Sequence, residues 1–491
     1  MSVSLRARSP AETELNGALE EDAMNAMNGT SNPYTRRLAE FVSRLDYDDI
    51  PQDVRKRIKL LVLDSFGCAL YGASLPWTRI LQETLREIDA SESNIIWGTG
   101  LKLSAPHAAL VNGTEVQGFE LDDVHRVGVL HVGAVTLPAL IAAVENRGKI
   151  TGRELLTACV AGYEVGPRVG RCMGQEHIGQ GWHSGATLGV FSAAAGAARG
   201  LGLDADSTVH ALGIAGTQAA GLMAAQYGAM VKRMHAGRSA QSGLYGALLA
   251  ARGFTGILDV LEAPYGGFCT TFSRSQDRFD LAELTSGLGD TFETMAIALK
   301  FYSCVGSNHT TLDCIRAIRK RRPFAVDELD RIIVHGSQVT VDHVGWSYRP
   351  EGLTSAQLNL PFCVATLLLE GDVFVDQFDE SCVNNDARIR LSRLVQCVED
   401  PQITALGAKY RHKVRVEVLL KDGSRHEDER EAPRGSEKSF ASEDDIVEKF
   451  HKLAGKAFPA ARAKQLAQAV LAMDDLEDAT DLIRLLAVPA A

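Results

Sequence analysis

The sequence contains no pair of cysteines separated by two residues, the spacing from which many zinc sites and thiol redox motifs are built. Its nine cysteines are scattered along 491 residues, and their number is odd. Such a set is typical of reduced, buried thiols, which favours an intracellular protein. A disulfide or zinc framework is the alternative, and the scattered spacing does not favour it.

The chain also lacks an excess of positive charge: it contains 51 lysines and arginines and 62 acidic residues, which gives a net charge of −11. We therefore do not expect nucleic acid as a partner, because phosphate binding needs a cationic surface. An anionic small molecule would have to be bound by a local cluster of lysine, arginine and histidine. The field of the whole protein would repel it.

The first thirty residues lack the apolar core of a secretory signal, and they carry five acidic residues, which mitochondrial presequences avoid. We expect residues 1–32 to be a disordered extension, and the protein to be cytoplasmic rather than mitochondrial. One uncharged run, Ser207–Val231, is long enough to span a bilayer, but it contains a histidine, two glutamines and four glycines. We interpret this run as a buried helix, and no membrane is implied.

The residues that are present form a globular composition, with 45% apolar and 23% charged residues. Helical periodicity dominates the first half: Leu38, Phe41, Val42 and Leu45 follow it, and another apolar stripe begins after Pro51. Between about residues 104 and 253 the chain is rich in alanine and glycine, and small residues let helix axes approach closely. These patterns predict a large, tightly packed helical domain.

The second half has a different pattern. The segment 331–341 is rich in β-branched residues, which is typical of a strand. Residues 414–420 alternate apolar and polar positions before the turn residues Lys421, Asp422 and Gly423, which predicts a half-buried strand leading into a hairpin. Helical spacing returns after residue 433. The predicted fold is mainly α with a smaller α+β domain: residues 33–291 and 434–491 form the helical domain, and residues 292–433 form an inserted lid domain.

The densest polar cluster is Glu-Leu-Asp-Asp-Val-His-Arg at 120–126, followed by His131. Asp122, Asp123 and His131 suggest general acid–base chemistry, in which a carboxylate fixes the histidine tautomer. A divalent-metal site is a second interpretation, although no H-x-x-x-H pair supports it. An exposed acidic turn without function is a third.

Two further segments carry candidate residues. His183 stands just before a run of small residues, where the start of a helix would offer free N–H groups to a carboxylate, but a lone histidine is often only a core residue. Lys232 follows the uncharged run and is a candidate carboxylate clamp. Lys300 and His309 flank Cys304 near the start of the predicted lid domain, and nothing marks this cysteine as an activated nucleophile.

These motifs together resemble the MmgE/PrpD family. The resemblance covers residues 34–485 in order and is carried by the following segments: Ile50-Pro-x-Asp-Val, 59–67 (Lys-Leu-Leu-Val-Leu-Asp-Ser-Phe-Gly), Asp122-Asp123 with His131, Gly181-Trp-His, Met230-Val-Lys-Arg, Tyr265-Gly-Gly-Phe, Lys300-x-Tyr-x-Cys with His309, and Pro433-Arg-Gly. Two positions depart from the animal decarboxylases of the family. Val124 stands where they have threonine, and Val305 where they have a further histidine.

The resemblance implies a homodimer with an active site between a helical domain and a lid, and no metal or organic cofactor. It implies His131, His183 and Asp122 as catalytic residues, and Asp123, Lys232, Lys300 and His309 as substrate-binding residues. The family includes 2-methylcitrate dehydratases, cis-aconitate decarboxylases and an iminodisuccinate epimerase.

The resemblance therefore implies a cofactor-independent lyase, a dehydratase or decarboxylase, acting on a small di- or tricarboxylate such as a 2-alkylcitrate or cis-aconitate. Both reactions need cations on carboxylate oxygens and a proton shuttle at carbon. An epimerase of a dicarboxylate and a non-catalytic helical binding protein are the alternatives.

Overall fold

A computed structural model describes residues 33–174, 176–226 and 228–488, so the predicted extension at 1–32 lies outside the described residues. The helices of the first half are α1 (Tyr34–Arg44), α2 (Gln52–Gly72), α3 (Pro76–Ile88), α4 (Ala105–Val116), α5 (Val132–Arg147), α6 (Gly152–Met173), α7 (Glu176–Gly179), α8 (Ser184–Thr187), α9 (Gly189–Leu201), α10 (Ala205–Gly216), α11 (Val231–Ala250) and α12 (Phe268–Ser273). Those of the second half are α13 (Gly306–Arg321), α14 (Gln338–Val344), α15 (Leu353–Leu358), α16 (Leu360–Glu370), α17 (Asp386–Ser392), α18 (Pro401–Ala405), α19 (Glu443–Ala454), α20 (Ala460–Leu471) and α21 (Thr480–Arg484).

Local sequence signals set the starts of several helices. Pro51 is the N-cap residue of α2, where its fixed φ suits the start of a helix. Thr151 and Glu154 form a capping box at the start of α6, with each side chain bonded to the backbone N–H of the other. Ser442 and Asp445 do the same for α19, the first helix after the predicted lid domain.

Small residues bring the central helices close together, as the alanine- and glycine-rich pattern predicted. A Cβ atom on Gly113 of α4 would lie 2.6 Å from the Cα atom of Gly237 in α11. A Cβ atom on Gly243 would lie 2.4 Å from that of Ala193 in α9. Both distances are too short for real contacts, so glycine at these two positions allows the helices to pack closely.

The main sheet lies between residues 329 and 430 and has the strand order β6-β5-β7-β8: β5 (Leu329–Gly336), β6 (Val395–Glu399), β7 (Val414–Leu420) and β8 (Arg425–Arg430). β5 pairs parallel with β6 and antiparallel with β7. β7 and β8 form the hairpin that the alternation predicted, with Gly423 at φ +85° in its turn. α13 packs against β7 and β8. A mainly α fold with a smaller α+β part is therefore confirmed, whereas the boundaries at 291/292 and 433/434 stay a prediction.

Two small sheets lie outside the main one. β1 (Asn94–Ile95) pairs with β2 (Lys102–Leu103), and β3 (Val124–His125) pairs antiparallel with β4 (Ile297–Ala298). In the second sheet Val124 lies opposite Ala298. Extending this register by two residues brings Asp122 opposite Lys300 on the same face, because side chains alternate with a period of two.

Two local predictions are wrong. The uncharged run at 207–231 is not one buried helix: α10 ends at Gly216, and the chain then turns through a partly exposed segment that includes the 3₁₀ helix Met223–Gln226. The segment 331–341 is not all strand, because β5 ends at Gly336 and Ser337 caps α14 by accepting a hydrogen bond from the N–H of Thr340.

Within the described residues no single helix has both the length and the hydropathy to cross a membrane. The bent pair formed by α2 and α3, with an angle of 79°, satisfies both criteria only when the two helices are taken together.

Candidate active site

A cleft of about 400 Å³ is lined both by the helical part of the chain and by residues 292–433. The predicted site residues His131, His183, Lys232 and Lys300 all line it, although they come from four distant segments. Val124 and Val305, the two departures from the animal decarboxylases, line it as well. The other lining residues used below are Glu120, Arg126, Ser307, Asp342, His343, Arg411 and His412.

His131 is the N-cap residue of α5 and is held by Asp122. Its Nδ1 lies 2.7 Å from Oδ2 of Asp122, whose side chain is fully buried. Burial raises the pKa of Asp122, but the charges of His131 and Lys300 outweigh it and lower the pKa, so this carboxylate is ionised. An ionised carboxylate only accepts, so Nδ1 of His131 carries a proton and Nε2 is the nitrogen left for chemistry in the cleft.

Glu120 is a buried carboxylate that binds three cations. Its Oε1 accepts from Nζ of Lys232 and, at 2.7 Å, from Nη1 of Arg233, while Nζ of Lys300 lies 3.6 Å from Oε2. Lys300 also donates to Oδ1 of Asp122 at 3.2 Å, the contact that the β3–β4 register predicts. The backbone of Glu120 has φ +59°, which is unfavourable for a residue with a side chain and is held by these contacts.

The charges of this cluster shift the pKa of each member. Burial raises the pKa of Glu120, but Lys232, Lys300 and Arg233 outweigh it and hold the pKa well below its ordinary value. Burial lowers the pKa of Lys232, and Glu120 opposes this only in part. Lys300 shows the reverse: burial lowers its pKa, but Asp122 and Glu120 raise it above the ordinary value. The cluster is a set of ionised groups that compensate one another.

His183 is a neutral histidine beside His131. Burial, followed by the charge of Lys232, holds the pKa of His183 well below its ordinary value. The centres of the His131 and His183 rings lie 6.4 Å apart, and Nδ1 of His183 has no hydrogen-bond partner among the described residues. The expected helix begins directly after His183, but α8 has only four residues.

The other two predicted ligands, Asp123 and His309, are not brought to the wall of the cleft. Asp123 accepts hydrogen bonds from the N–H of Gly133 and the hydroxyl of Tyr163, both at 2.9 Å. His309 is buried in α13, with Nε2 bonded to the carbonyl of Cys304 at 3.1 Å. Burial lowers the pKa of His309 to about 3, so its ring is neutral. These contacts give both residues a structural role, and their role in substrate binding stays a prediction.

Two interpretations of the acidic cluster can be compared with this geometry. The exposed turn is wrong, because Glu120, Asp122 and Asp123 are all buried. For the metal site, no group of three histidine, cysteine or carboxylate side chains is placed to bind an ion within the described part of the chain. The cluster is instead a buried network of acids, lysines, an arginine and a histidine.

The alternative nucleophile Cys304 is fully buried, and burial raises the pKa of its thiol well above the ordinary value. This thiol therefore has little thiolate character.

Sequence reasoning missed several residues of the cleft that lie between 307 and 412 or in the turn after β3. Ser307, near the start of α13, has its hydroxyl 3.3 Å from Nδ1 of His343 and 3.5 Å from Nε2 of His412. The five missed residues that matter below are Arg126, Ser307, His343, Arg411 and His412. Only Arg126 had a sequence signal, since it ends the polar cluster at 120–126.

A lysine from the returning helix α19 supports the acidic segment from behind. Nζ of Lys449 lies 2.7 Å from Oδ1 of Asp64 and donates to the carbonyl of Leu121 at 2.7 Å. Leu121 stands between Glu120 and Asp122, so this contact fixes the backbone that carries both carboxylates. No pattern in the sequence predicted that Lys449 belongs to the site.

Comparison with known proteins agrees with this geometry. The MmgE/PrpD N-terminal domain model matches residues 36–280, and the MmgE/PrpD C-terminal domain model matches residues 302–475. The cis-aconitate decarboxylase-like protein oryM of Aspergillus oryzae is 36% identical over 469 residues, which cover 92% of this chain and 97% of that protein. Cis-aconitate decarboxylase of Aspergillus terreus is 33% identical over 93% of this chain and 96% of its own. The human cis-aconitate decarboxylase is 26% identical over 93% and 95%.

The three cations around Glu120 predict the effect of removing its charge. Glu120→Gln keeps the shape of the side chain but leaves buried cations without their counter-charge, so we expect a loss of roughly 3–5 kcal/mol in unfolding free energy. Chemical denaturation followed by circular dichroism measures it. The matched control is Glu262→Gln, because that carboxylate is bonded to the N–H and hydroxyl of Thr35, and no cation of the described part of the chain pairs with it. A control as damaging as Glu120→Gln would contradict this account.

The same cluster predicts a pH dependence. The pKa of Glu120 is lower in the folded protein than in the unfolded chain, so its stabilising effect is full above the unfolded value, near 4.3. This stabilising effect is lost as the pH falls through the pKa that Glu120 has in the folded protein. We expect the stability difference between wild type and Glu120→Gln to stay constant from about pH 6 to 8 and to narrow below about pH 4. If the stability difference between wild type and Glu120→Gln widens in acid, the pKa of Glu120 is not lowered by folding.

Proposed function

Since the two domain matches span most of the chain, this protein belongs to the MmgE/PrpD family and is a lyase, and we propose that it removes CO₂ from cis-aconitate or a closely similar unsaturated tricarboxylate. The observation that carries the proposal is one cleft in which the His131–Asp122 pair lies beside two buried lysines. Relatives that align over more than nine-tenths of this chain bear the name cis-aconitate decarboxylase, which supports the same reaction.

The proposed reaction needs both kinds of group. When the carboxylate on the methylene carbon leaves as CO₂, the electrons of the broken C–C bond form a new double bond. The old double bond shifts its electrons to the carbon beside the far carboxylate. A proton must then be added to that carbon, which gives 2-methylenesuccinate. Cations at the oxygens of the far carboxylate stabilise the charge that develops there.

The residues of the cleft divide between these tasks. Lys232 and Lys300 hold the carboxylate that takes up the charge, because both are buried cations on its wall. His131 delivers the proton to carbon through Nε2, and Asp122 acts through it as a positioning residue. His183, neutral and next to His131, accepts or relays a proton. The proposed chemistry is performed by these side chains, with no step that requires a cofactor.

Dehydration of a 2-alkylcitrate is the rival within the same class. It begins by removing a proton next to a carboxylate, which the same histidines and lysines could do. We favour decarboxylation because the relatives above carry that name.

We also propose a homodimer, from the family resemblance, and a cytoplasmic location, from the sequence patterns described above. Leu222, Met230 and Val231 are exposed beside the cleft, and an apolar group of this kind is typical of a subunit contact. Sedimentation equilibrium of the purified protein tests the dimer, and a monomer at micromolar concentration would overturn it. Cell fractionation with an activity assay tests the compartment.

The first prediction of this proposal concerns the product. Incubation of the purified protein with cis-aconitate should release one CO₂ per molecule and give 2-methylenesuccinate, identified by proton NMR. In D₂O the product should carry one deuterium on its methylene carbon next to the carboxylate, because that carbon receives the proton. Parallel reactions with 2-methylcitrate and with a chiral dicarboxylate separate water loss and epimerisation. Turnover of either in place of cis-aconitate would overturn the proposal.

The second prediction concerns the proton donor. His131→Gln should lower kcat for cis-aconitate by about 10²–10⁴-fold, the usual contribution of general acid–base catalysis. The matched control is His107→Gln, because His107 forms the same kind of pair with Asp89, also 2.7 Å long, away from the cleft. Activity in this control should stay within about twofold of wild type.

Asp122→Asn tests the positioning role in the same assay. Here kcat should fall at least about tenfold with a smaller change in KM, because the histidine tautomer is no longer fixed. Wild-type kcat in both His131→Gln and Asp122→Asn would remove this assignment.

A further inference from the structure

A second group of cations lines the cleft apart from those around Glu120. Arg126, in the turn after β3, is only 7% exposed and lines the cleft. Its Nη2 donates to Glu437 at 2.9 Å, but its Nε and Nη1 are buried and bond to no described residue. Buried guanidinium nitrogens without a partner are costly, so a site that leaves them open is one that a ligand oxygen can complete.

Arg411 is the second member of this group. Its Nε donates to Nε2 of His412 at 3.2 Å, and no carboxylate pairs with its guanidinium among the residues that the structure describes. Burial, followed by the positive charge of Arg126, lowers the pKa of Arg411 to about 10. Both guanidinium groups line the same cleft, so their charges repel each other, and an anion between or beside them would relieve that repulsion.

The neighbouring groups cancel only part of this charge. Burial, with Arg411 as the next cause, lowers the pKa of His343 to about 4 and holds that of His412 well below its ordinary value, so both rings are neutral. The carboxylate facing Arg126 is that of Glu437, and Asp342 on the cleft wall is exposed and bonded to Gln338. Glu437 compensates Arg126, so the cation left without a carboxylate partner among the described residues is Arg411.

The cations around Glu120 are also compensated only in part. Lys232, Arg233 and Lys300 face the two carboxylates Glu120 and Asp122, which leaves one positive charge in excess. One excess charge suits one carboxylate of a ligand. A molecule with three carboxylates needs further cations, and Arg126 and Arg411 are the ones on the same wall.

We propose that Arg126 and Arg411 form a second carboxylate subsite, and that it selects tricarboxylates over dicarboxylates. This proposal rests on the proposed function in that the ligand is taken to be an organic acid. It adds which side chains allow the protein to distinguish a ligand with three carboxylates from one with two. A guanidinium binds a carboxylate through two parallel N–H donors, so the subsite favours a planar carboxylate in a fixed orientation.

The test measures binding rather than turnover. The probes are propane-1,2,3-tricarboxylate and two dicarboxylates derived from it. Glutarate lacks the central carboxylate of the tricarboxylate, and methylsuccinate lacks one of its terminal carboxylates. Calorimetry should show that Arg411→Gln raises the Kd of the tricarboxylate about 10- to 100-fold, as expected for loss of a charge-assisted pair. For the dicarboxylate that lacks the carboxylate bound at this subsite, the Kd should change less than about twofold.

The matched control is Arg415→Gln, which removes the same charge from β7 at a position paired with Glu417 and away from the cleft. It should leave all three Kd values unchanged. If Arg411→Gln lowers the melting temperature more than this control, Arg411→Lys replaces it. Lysine keeps the charge but not the paired donors, so the Kd of the tricarboxylate should rise by an intermediate factor.

The outcomes separate this proposal from the function. An unchanged Kd for the tricarboxylate, or equal losses for all three probes, overturns the subsite even if the wild type decarboxylates cis-aconitate. If the wild type does not turn over cis-aconitate but shows the predicted selectivity, the proposed reaction is wrong and the proposed subsite is still supported. A wild type that binds none of the probes at millimolar concentration overturns both.

Discussion

The buried contact between Glu120 and its three cations is the interaction on which the rest of the site depends. Lys232 and Arg233 come from α11 and Lys300 from the segment after β4, so one carboxylate joins two distant parts of the chain. Without it, Lys232 would be a buried cation with no carboxylate partner among the described residues, and Lys300 would keep only Asp122. The site is therefore organised before a substrate arrives, which is what electrostatic stabilisation of a developing charge requires.

The backbone that carries Glu120 is held on several sides. The pairing of β3 with β4 brings Asp122 opposite Lys300, Asp123 accepts from the start of α5, and Lys449 binds the carbonyl of Leu121. Two adjacent acids thus have opposite tasks. Asp122 faces a histidine and a lysine and is ionised, whereas burial first, and then the charge of Asp122, raise the pKa of Asp123 to about 7. Their different environments separate a positioning group from a structural one.

Much of this could be predicted from the sequence, but not all of it. Periodicity identified helices such as α1 and the β7–β8 hairpin, because these patterns are local. The resemblance to the family brought four distant cleft residues together. No local pattern could distinguish Asp122 from Asp123, since that difference is set by a strand register with residue 298 and by Tyr163. Arg411 and His412 were missed for the same reason: they precede a strand without any periodic or motif signal, and only the tertiary fold brings them to the cleft.

The acidic net charge and the anionic ligand can now be reconciled. A charge of −11 describes the whole chain, but a ligand in the cleft is close to Lys232, Lys300, Arg126 and Arg411, which are buried or half-buried. Surface acids act through water and salt, which screen them within about 8–10 Å, whereas buried groups interact through a poorly screened interior. The local cations therefore outweigh the distant acids at the point of binding. The same reasoning explains why a buried cation in the cleft needs a carboxylate partner. Arg411 has no such partner among the described residues, so it is the position at which a ligand has most to contribute.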